Sequence, residues 1–333
     1  MKYIIKLNLI LLLVLLSSCA DNSRQIDNPK IENAPKHVII IGFDGFSAAS
    51  INDGKILPEL ANMPTLKYLM KHGSYTLKNR SVLPSSSAVN WASMWMGASP
   101  ELHGYLHWDS RKPELEAREL TSNGMFPDIF AMTRKAYPQA EIGYIYEWEG
   151  MRYLLDTLAV NYLKQVELSG EDVMVSTAPV ISYIKEKKPN LCAVVFAQPD
   201  GVGHSIGWES PEYSEMLKRL DQSLASIVKA VKDAGIMDET VIAIVADHGG
   251  TGTSHGGTTM NEMQTPLVFY GKGIKKGFNI PESTMIYDIT GTVGYMLGIE
   301  QPQVWLARPI KSIFELLLSA KTQKGINIPP EAL

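Results

Sequence analysis

A chain of 333 residues with 45% apolar residues is long enough for one large domain with a well-buried core. The formal net charge of −4, from 31 basic and 35 acidic residues, leaves no basic surplus and argues against a nucleic acid polymer as partner. The two cysteines, Cys19 and Cys192, are too few for a disulfide framework.

The first residues predict an export signal. Residues 1–6 are cationic and residues 7–16 are apolar, a pattern typical of a signal peptide, here over residues 1–18. The segment Leu16-Ser17-Ser18-Cys19 resembles the lipobox of bacterial lipoproteins, in which the cysteine becomes the lipidated first residue. The alternative is an ordinary secretory signal whose cysteine is incidental. We expect an exported lipoprotein of the cell envelope, anchored to the membrane through Cys19 and facing the periplasm or the cell surface.

A tether and one folded domain are expected after the signal. Residues 19–35 are rich in Asp, Asn, Ser, Lys and Pro and carry little apolar surface to bury, so we interpret them as a flexible tether. A single catalytic domain is predicted over residues 36–333, with room for a small cap insertion. Cys192 lies in the apolar run 191–196 and is expected to be a buried strand residue.

Short β-branched runs alternate with amphipathic patterns along this domain. Strands are predicted at residues 37–42, 141–145, 191–197, 240–246 and 266–270. Helices are predicted at residues 64–71, 126–137, 173–186 and 211–234. Near-continuous apolar strands separated by helices indicate an α/β fold, with a mostly parallel central sheet and helices on both faces.

Acidic residues stand where three of these apolar runs stop. Asp44 follows residues 39–43, Asp200 follows residues 194–199, and Asp247 follows residues 241–246. Ligands of parallel sheets bind outside the carboxyl ends of the strands. Each aspartate alone is equally well explained as a turn former or a helix cap. Together they predict a polar site at one edge of the sheet.

Histidines beside these acids suggest a metal site. Asp200 and His204 are four residues apart, so one helical turn aims both at the same ion. Glycines follow Asp247 and His248, and a bend there lets both side chains face one cavity, while His255 lies in a glycine-rich loop. Oxygen and nitrogen ligands without thiolates suit zinc, and two zinc ions about 4 Å apart clamp an in-line displacement. The alternative is a set of unrelated surface or core histidines.

These residues carry a family resemblance over most of the chain after the tether. The motifs resemble, in the same order, those of the nucleotide pyrophosphatase/phosphodiesterase branch of the alkaline phosphatase superfamily. The short spacing of His255 after Asp247 is similar to that of the glycolipid-anchor ethanolamine-phosphate transferases of the same superfamily. The matching segments are Gly42-Phe43-Asp44-Gly45, residues 84–90, Asp200 with His204, Ala246-Asp247-His248-Gly249 and Ser254-His255-Gly256.

The resemblance implies a role for each site residue. One zinc would be held by Asp44, Ser87, Asp247 and His248, and the other by Asp200, His204 and His255. The family's nucleophile falls on Ser87, at the start of a predicted helix through Trp91 and Trp95 whose N-terminus favours an anion. Zinc coordination generates the alkoxide of a serine without a neighbouring base. Ser85 and Ser86 stay open as alternatives, because each of the three serines is also a candidate helix cap.

The chain departs from the phosphodiesterase pattern after the nucleophile. Trp108 stands where the family has an asparagine that contacts a phosphate oxygen, so oxyanion stabilisation falls to Asn90, a backbone amide or the zinc ions. Substrate choice is assigned to residues 101–161, in which His103, His107, Trp148 and Arg152 are also candidate pocket residues. Packing or surface roles explain these residues equally well.

The combined interpretation is an exported two-zinc hydrolase that cleaves phosphate mono- or diesters through a phosphoserine intermediate. Candidate substrates are small phosphate esters, nucleotides and phosphorylated glycans or lipids. Phosphoryl-group transfer and sulfate or phosphonate ester hydrolysis are alternatives on the same metal core, although no Cys or Ser followed by x-Pro-x-Arg occurs around Ser87, as sulfatase maturation requires. A second alternative is a non-catalytic lipoprotein that binds a glycan or a lipid.

Overall fold

The computed structural model describes residues 34–49, 63–167 and 172–315. Chain contacts divide the protein into residues 1–30 and residues 31–333, and only the second unit contains described residues. The predicted signal peptide, Cys19 and all but the last two residues of the predicted tether therefore lie outside the described part. Within that part, no helix is long and apolar enough to cross a membrane.

One mixed sheet forms the centre of the domain. Within the described residues its eight strands lie in the order β4-β3-β5-β1-β6-β7-β2-β8. The strands are β1 His37–Asp44, β2 Ser74–Arg80, β3 Ile142–Tyr146, β4 Tyr162–Gln165, β5 Leu191–Pro199, β6 Thr240–Val245, β7 Gln264–Gly271 and β8 Phe278–Asn279.

Strands β4, β3, β5, β1 and β6 run parallel to one another. Every residue of β1 and β6 is buried, because helices cover both faces of the sheet and leave no solvent side for polar residues. The parallel direction places the carboxyl ends of these strands at a single edge. The sheet register shifts between Phe43 and Asp44, so that Asp44 pairs with Pro199, the residue before Asp200.

Alternate residues of β1 serve two separate cores. The helices are α1 Pro64–His72, α2 Ser87–Met96, α3 Pro100–His103, α4 Ile129–Ala136, α5 Met174–Lys187, α6 Asp200–Ser205, α7 Pro211–Asp233, α8 Met260–Met263 and α9 Asp288–Met296. Val38 and Ile40 join an apolar cluster with helices α2, α4 and α9. Ile39 and Ile41 join a second cluster with α1, α5 and α7 on the opposite face.

The predicted α/β fold with a mostly parallel, doubly covered sheet is confirmed. All five predicted strands and all four predicted helices are present, with ends that differ by a few residues. Strands β2, β4 and β8 were not predicted: β4 and β8 have four and two residues, and the sequence of β2, SYTLKNR, has no continuous apolar run. Strand β2 pairs antiparallel with β7, which is itself antiparallel to β6, so this side of the sheet is mixed. Cys192 is fully buried on β5, as expected.

Candidate active site

The seven predicted metal ligands meet at the carboxyl edge of the sheet. Asp44 ends β1, Asp247 and His248 follow β6, and Asp200 begins helix α6 directly after β5. These three strands are neighbours in the order β5-β1-β6, so their ends are adjacent. Ser87 is the first residue of α2, and His204 and His255 complete the group.

Four of these side chains form a buried group, which we call the inner site. Ser87 Oγ lies 3.1 Å from His248 Nε2 and 3.4 Å from Asp44 Oδ1. His248 Nε2 lies 3.5 Å from Asp44 Oδ1 and 3.2 Å from Asp247 Oδ2. Asp247 and His248 have no exposed surface. The Ser87 hydroxyl therefore lies against the buried side chains of Asp44, Asp247 and His248.

The remaining three side chains form a more open group, the outer site. Asp200 lies 3.6 Å from His204, measured from Oδ2 to Nε2, and 3.6 Å from His255, measured from Oδ1 to Nε2. The His204 side chain is 46% exposed. Asp200 is also close to Asp44 and His248, with one potential ligand atom of each within 4.8 Å of the others. Asp200 thus connects the two sites.

The three histidines all present the same nitrogen to the centre. Each Nδ1 is within hydrogen-bond distance of a backbone carbonyl: His248 of Gly249 O at 2.8 Å, His204 of Thr253 O at 3.0 Å, and His255 of Ser85 O at 3.0 Å. A carbonyl only accepts, so Nδ1 carries the proton and the Nε2 lone pair is free. Metal-binding histidines are commonly oriented in this way, with the nitrogen that faces away from the metal donating to a backbone carbonyl.

The carboxylates are held in a way that fits cations rather than protein partners. Asp200 Oδ1 and Asp247 Oδ2 are buried and have no hydrogen-bond partner. Burial, together with the charges of Asp247 and Asp200, raises the pKa of Asp44 well above its usual value, and burial raises the pKa of Asp247 in the same direction. Burial also lowers the pKa of His255 to about 3, so that its imidazole is neutral. Clustered acids with neutral histidines are the donor set of a divalent metal site.

Two glycines make this close packing possible. Gly45 has φ +72°, and a Cβ there would lie 2.8 Å from Asp200 Cα. Its amide donates to Asp247 Oδ1 at 3.0 Å, which leaves the other oxygen of that carboxylate facing the site. A Cβ on Gly250 would lie 2.2 Å from the Trp208 ring. Only glycine fits at either position.

Trp91 and Trp208 support the site, and no sequence pattern indicated their roles. Trp91 Nε1 donates to Asp44 Oδ2 at 3.0 Å, so the other Asp44 oxygen faces Ser87. Trp91 lies one helical turn after Ser87 on α2 and is fully buried. Trp208 Nε1 donates to Gly45 O at 2.8 Å and fixes the turn after β1.

The three consecutive serines have different partners. Ser85 Oγ donates to Gly257 O at 2.7 Å and thereby ties its loop to the loop that carries His255. Ser87 Oγ faces the inner site, as described above. Ser86 is the N-cap residue of α2, yet its side chain makes no capping hydrogen bond, and its buried Oγ has no partner. Position therefore favours Ser87 as the nucleophile among the three.

The oxyanion role predicted for Asn90 does not fit the structure. Asn90 is fully buried, and its Oδ1 accepts from Val82 N at 2.7 Å. Its Nδ2 donates to Pro84 O and Ser86 O, each at 3.0 Å. With its polar atoms used in this way, the carboxamide holds the loop before Ser87 and has no group left for a substrate.

A cleft of about 700 Å³ opens above both sites, and part of residues 101–161 forms its wall. Leu106, His107, Trp108 and Trp148 line it together with Asp44 and Ser87. The Trp108 and Trp148 rings are nearly parallel, with an interplanar angle of 21° and centroids 6.4 Å apart, and Trp108 is 60% exposed. The segment assigned to substrate choice thus contributes an aromatic wall.

Two other candidate pocket residues lie elsewhere. His103 is buried, accepts from Tyr105 N at 3.1 Å and contacts Ser93 Oγ at 2.9 Å, so it joins α3 to α2. Burial lowers its pKa to about 3. Arg152 does not line the cleft and lies over the Tyr153 ring, 5.6 Å from its centroid. The packing and surface interpretations are therefore correct for these two residues.

Comparison with known proteins identifies the family of the chain. A sequence profile of the type I phosphodiesterase/nucleotide pyrophosphatase family matches residues 38–268, more than half of the chain. Ectonucleotide pyrophosphatase/phosphodiesterase family member 1 of Mus musculus is 22% identical over 241 residues, which are 69% of this chain and 26% of that protein. The chain thus spans about a quarter of the length of this curated relative.

Solved structures share the fold. Murine ectonucleotide pyrophosphatase/phosphodiesterase 5, as an inactive variant in complex with AMP, superposes with a TM-score of 0.63 at 14% identity, covering 84% of this chain and 100% of that chain. A putative sulfatase from Bacteroides thetaiotaomicron superposes with a TM-score of 0.68 at 16% identity, covering 84% of this chain and 74% of that chain. The family resemblance inferred from the motifs is confirmed, and the chain belongs to the type I phosphodiesterase/nucleotide pyrophosphatase family of the alkaline phosphatase superfamily.

Proposed function

We propose that the protein hydrolyses small phosphodiesters through a phosphoserine at Ser87, with a divalent metal ion in each of the two sites. One observation carries the proposal. The Ser87 hydroxyl lies at the floor of an open cleft, 3.1 Å from His248 Nε2 and 3.4 Å from Asp44 Oδ1, beside the second ligand group of Asp200, His204 and His255. Family membership supports the same reaction class.

The inner site, with Asp44, Asp247 and His248, would hold the metal beside Ser87, and the outer site would hold the other. The ligand set of carboxylates and neutral imidazoles is the one that zinc takes in hydrolytic sites. When bound, metal ions at these positions lower the pKa of a coordinated hydroxyl and offset the charge of the phosphoryl oxygens. The partnerless oxygens of Asp200 and Asp247 are the ones that gain a partner.

The residues of the chain perform a two-step displacement. Ser87 Oγ attacks phosphorus, its proton passes to solvent, and the bond from phosphorus to the leaving-group oxygen breaks. The leaving alkoxide takes up a proton from solvent at the open outer site, where His204 is 46% exposed, and departs as the alcohol. Water then attacks phosphorus, and the bond from phosphorus to Ser87 Oγ breaks to regenerate the serine.

The lining of the cleft favours a diester over a monoester. None of the described residues that line it is Lys or Arg, and its walls are largely apolar. A phosphodiester brings one negative charge, whereas a monoester dianion brings two and needs more positive charge around it. The stacked Trp108 and Trp148 rings offer a flat apolar surface for an aromatic or otherwise planar leaving group.

The test compares bis-p-nitrophenyl phosphate, p-nitrophenyl phosphate and p-nitrophenyl sulfate on one preparation with measured metal content. We expect about two zinc ions per chain and the highest kcat/KM for the diester. Ser87→Ala and a chelator should each abolish turnover. Added zinc should restore the activity of the chelated enzyme but not that of Ser87→Ala. Ser87→Thr keeps a hydroxyl and serves as the matched control.

Each alternative predicts a different result. Preferential turnover of the sulfate ester would move the chain to the sulfatase alternative. Phosphate transfer to an added alcohol or glycan acceptor in preference to water would support a transferase. A folded preparation that binds no metal and turns over none of the three esters would support the non-catalytic binding module.

We also propose that the enzyme is exported and held at the membrane through Cys19. The support is the sequence of residues 1–19, which lie outside the described structure. In a bacterial host, we expect labelled palmitate to be incorporated into the full-length chain and lost in Cys19→Ser. Secretion of an unlabelled protein by the unmodified chain would instead support an ordinary signal peptide.

A further inference from the structure

Ser86 has an unusual environment for a helix N-cap. Its backbone is extended, with φ −141° and ψ 159°, but the side chain makes no capping hydrogen bond to helix α2. The residue is only 4% exposed, and its Oγ is buried without any hydrogen-bond partner. A buried hydroxyl without a partner loses free energy, so native proteins rarely keep one without a ligand or a role.

The residue that carries this hydroxyl belongs to the wall of the cleft. Ser86 lines the cleft next to Ser87 and Asp44, whereas Ser85 does not. The Ser86 backbone is fixed on both sides: its amide donates to Pro84 O at 2.8 Å, and its carbonyl accepts from Asn90 N at 3.0 Å. The side chain is therefore held in place beside the nucleophile by its backbone and not by its own hydrogen bonds.

Two other candidate donors near Ser87 are already engaged. The Asn90 carboxamide is bonded to the loop that precedes Ser87. The amide of Ala88, in the first turn of α2, donates to Trp108 O at 3.0 Å. Trp108 brings an indole that stacks with Trp148, and the described lining of the cleft contains no Lys or Arg.

We infer that the Ser86 hydroxyl donates a hydrogen bond to a non-bridging oxygen of the phosphoryl group while Ser87 attacks. This inference rests on the proposed phosphoryl chemistry and assigns the oxyanion contact to a residue outside the motif ligands. The N-terminus of α2 adds to the favourable field for the oxygen charge. Negative charge on these oxygens is redistributed during the displacement, and a fixed donor that needs no reorganisation stabilises the transition state.

The decisive experiment measures Ser86→Ala against Ser93→Ala as the matched control. Ser93 is a buried serine of the same helix whose hydroxyl donates to Val89 O at 2.8 Å, and it does not line the cleft. We expect kcat for bis-p-nitrophenyl phosphate to fall about 100-fold in Ser86→Ala. Inhibition by vanadate, which mimics the five-coordinate transition state, should weaken by a similar factor, inhibition by inorganic phosphate should weaken less, and metal content should not change.

Two further variants keep the inference testable if Ser86→Ala folds poorly. Ser86→Thr retains the hydroxyl and should restore vanadate inhibition, whereas Ser86→Cys has similar size but a weak donor and should not. Equal vanadate and phosphate affinities in Ser86→Ala and in the unmodified enzyme would overturn the inference. Recovery of the trapped phosphate on Ser86 rather than on Ser87 would also overturn it, because Ser86 would then be the nucleophile.

The same set of variants separates this inference from the proposed function. If Ser87→Ala retains full diesterase activity, the phosphoserine mechanism fails, and the role of Ser86 fails with it. If Ser87→Ala is inactive and Ser86→Ala behaves like the unmodified enzyme, only the role of Ser86 fails.

Discussion

Replacement of Asn90 by alanine tests whether this residue is structural or catalytic. The change removes three hydrogen bonds of 3.0 Å or less, to Val82 N, Pro84 O and Ser86 O. At a net contribution of about 1 kcal/mol for each hydrogen bond, and with the buried Val82 amide left unpaired, we expect the free energy of unfolding to fall by about 3 kcal/mol. Activity should fall as well, because the loop released by the change leads directly into Ser87.

The assay is urea denaturation followed by tryptophan fluorescence, with the slope m checked for constancy. Asn123→Ala is the control: Asn123 is exposed and its side chain donates one hydrogen bond, to Asp156 Oδ2 at 2.6 Å, so its loss should cost about 1.5 kcal/mol, half of the decrease expected for Asn90→Ala. The reasoning is refuted if Asn90→Ala unfolds with the free energy of the unmodified protein while kcat falls about 100-fold, since that is the signature of an oxyanion donor.

Three further predictions concern the support of the metal site, the effect of pH and the aromatic wall. Trp91→Phe removes the donor to the Asp44 carboxylate and should weaken zinc affinity about 10-fold or more, as measured by competition with a fluorescent chelator. Trp95→Phe, the same change one turn later, is the control and should affect stability but not zinc affinity. Burial raises the pKa of Asp128 to about 7, so its contribution to stability is complete below the unfolded pKa near 3.8 and is lost as pH rises through 7. Asp128→Asn should remove this contribution to the dependence of stability on pH, which a series of urea midpoints at different pH values measures. An unchanged dependence in Asp128→Asn would contradict the assignment. Trp108→Ala should lower kcat/KM about 10-fold for aryl diesters and less for methyl diesters, while Leu158→Ala, a 77% exposed apolar residue that does not line the cleft, should leave both values unchanged.

Removal of the metal ions should make stability depend more strongly on pH. In the metal-free protein the pKa values of Asp44 and Asp247 are raised, first of all by burial. These groups bind more protons in the folded than in the unfolded state, so stability is highest at low pH and falls as pH rises through the folded pKa values. We expect the chelator to lower the unfolding temperature more at pH 8 than at pH 5.5. An equal decrease at both values would contradict the burial of unpaired carboxylates.

The main features of the site could be read from the sequence because parallel strands end at one edge. The residues after β1, β5 and β6 are adjacent once these strands are neighbours, and ligands of parallel sheets bind at that edge. The pattern of apolar runs therefore predicted both the fold class and the meeting of Asp44, Asp200 and Asp247. That the metal is zinc stays a prediction, which rests on the carboxylate and imidazole ligands.

Other features followed from no local pattern. Strand β2 carries a polar sequence because it lies on the mixed side of the sheet beside short β8, where burial is incomplete. An asparagine near a nucleophile looks the same in sequence whether it faces the substrate or the loop behind it, so the sequence could not separate an oxyanion role for Asn90 from a structural one. Its hydrogen bonds with Val82, Pro84 and Ser86 place the carboxamide against the loop.

Periodicity and residue type are enough to predict the apolar strands, the helices that alternate with them and the acidic and histidine residues at the strand ends. Local sequence does not predict which serine faces the inner site, which hydroxyl is left without a partner or what covers the cleft. These outcomes depend on side-chain direction and on contacts between distant segments, such as Ser85 with Gly257 and Ala88 with Trp108. Such contacts arise only when the whole sheet and its loops are packed together.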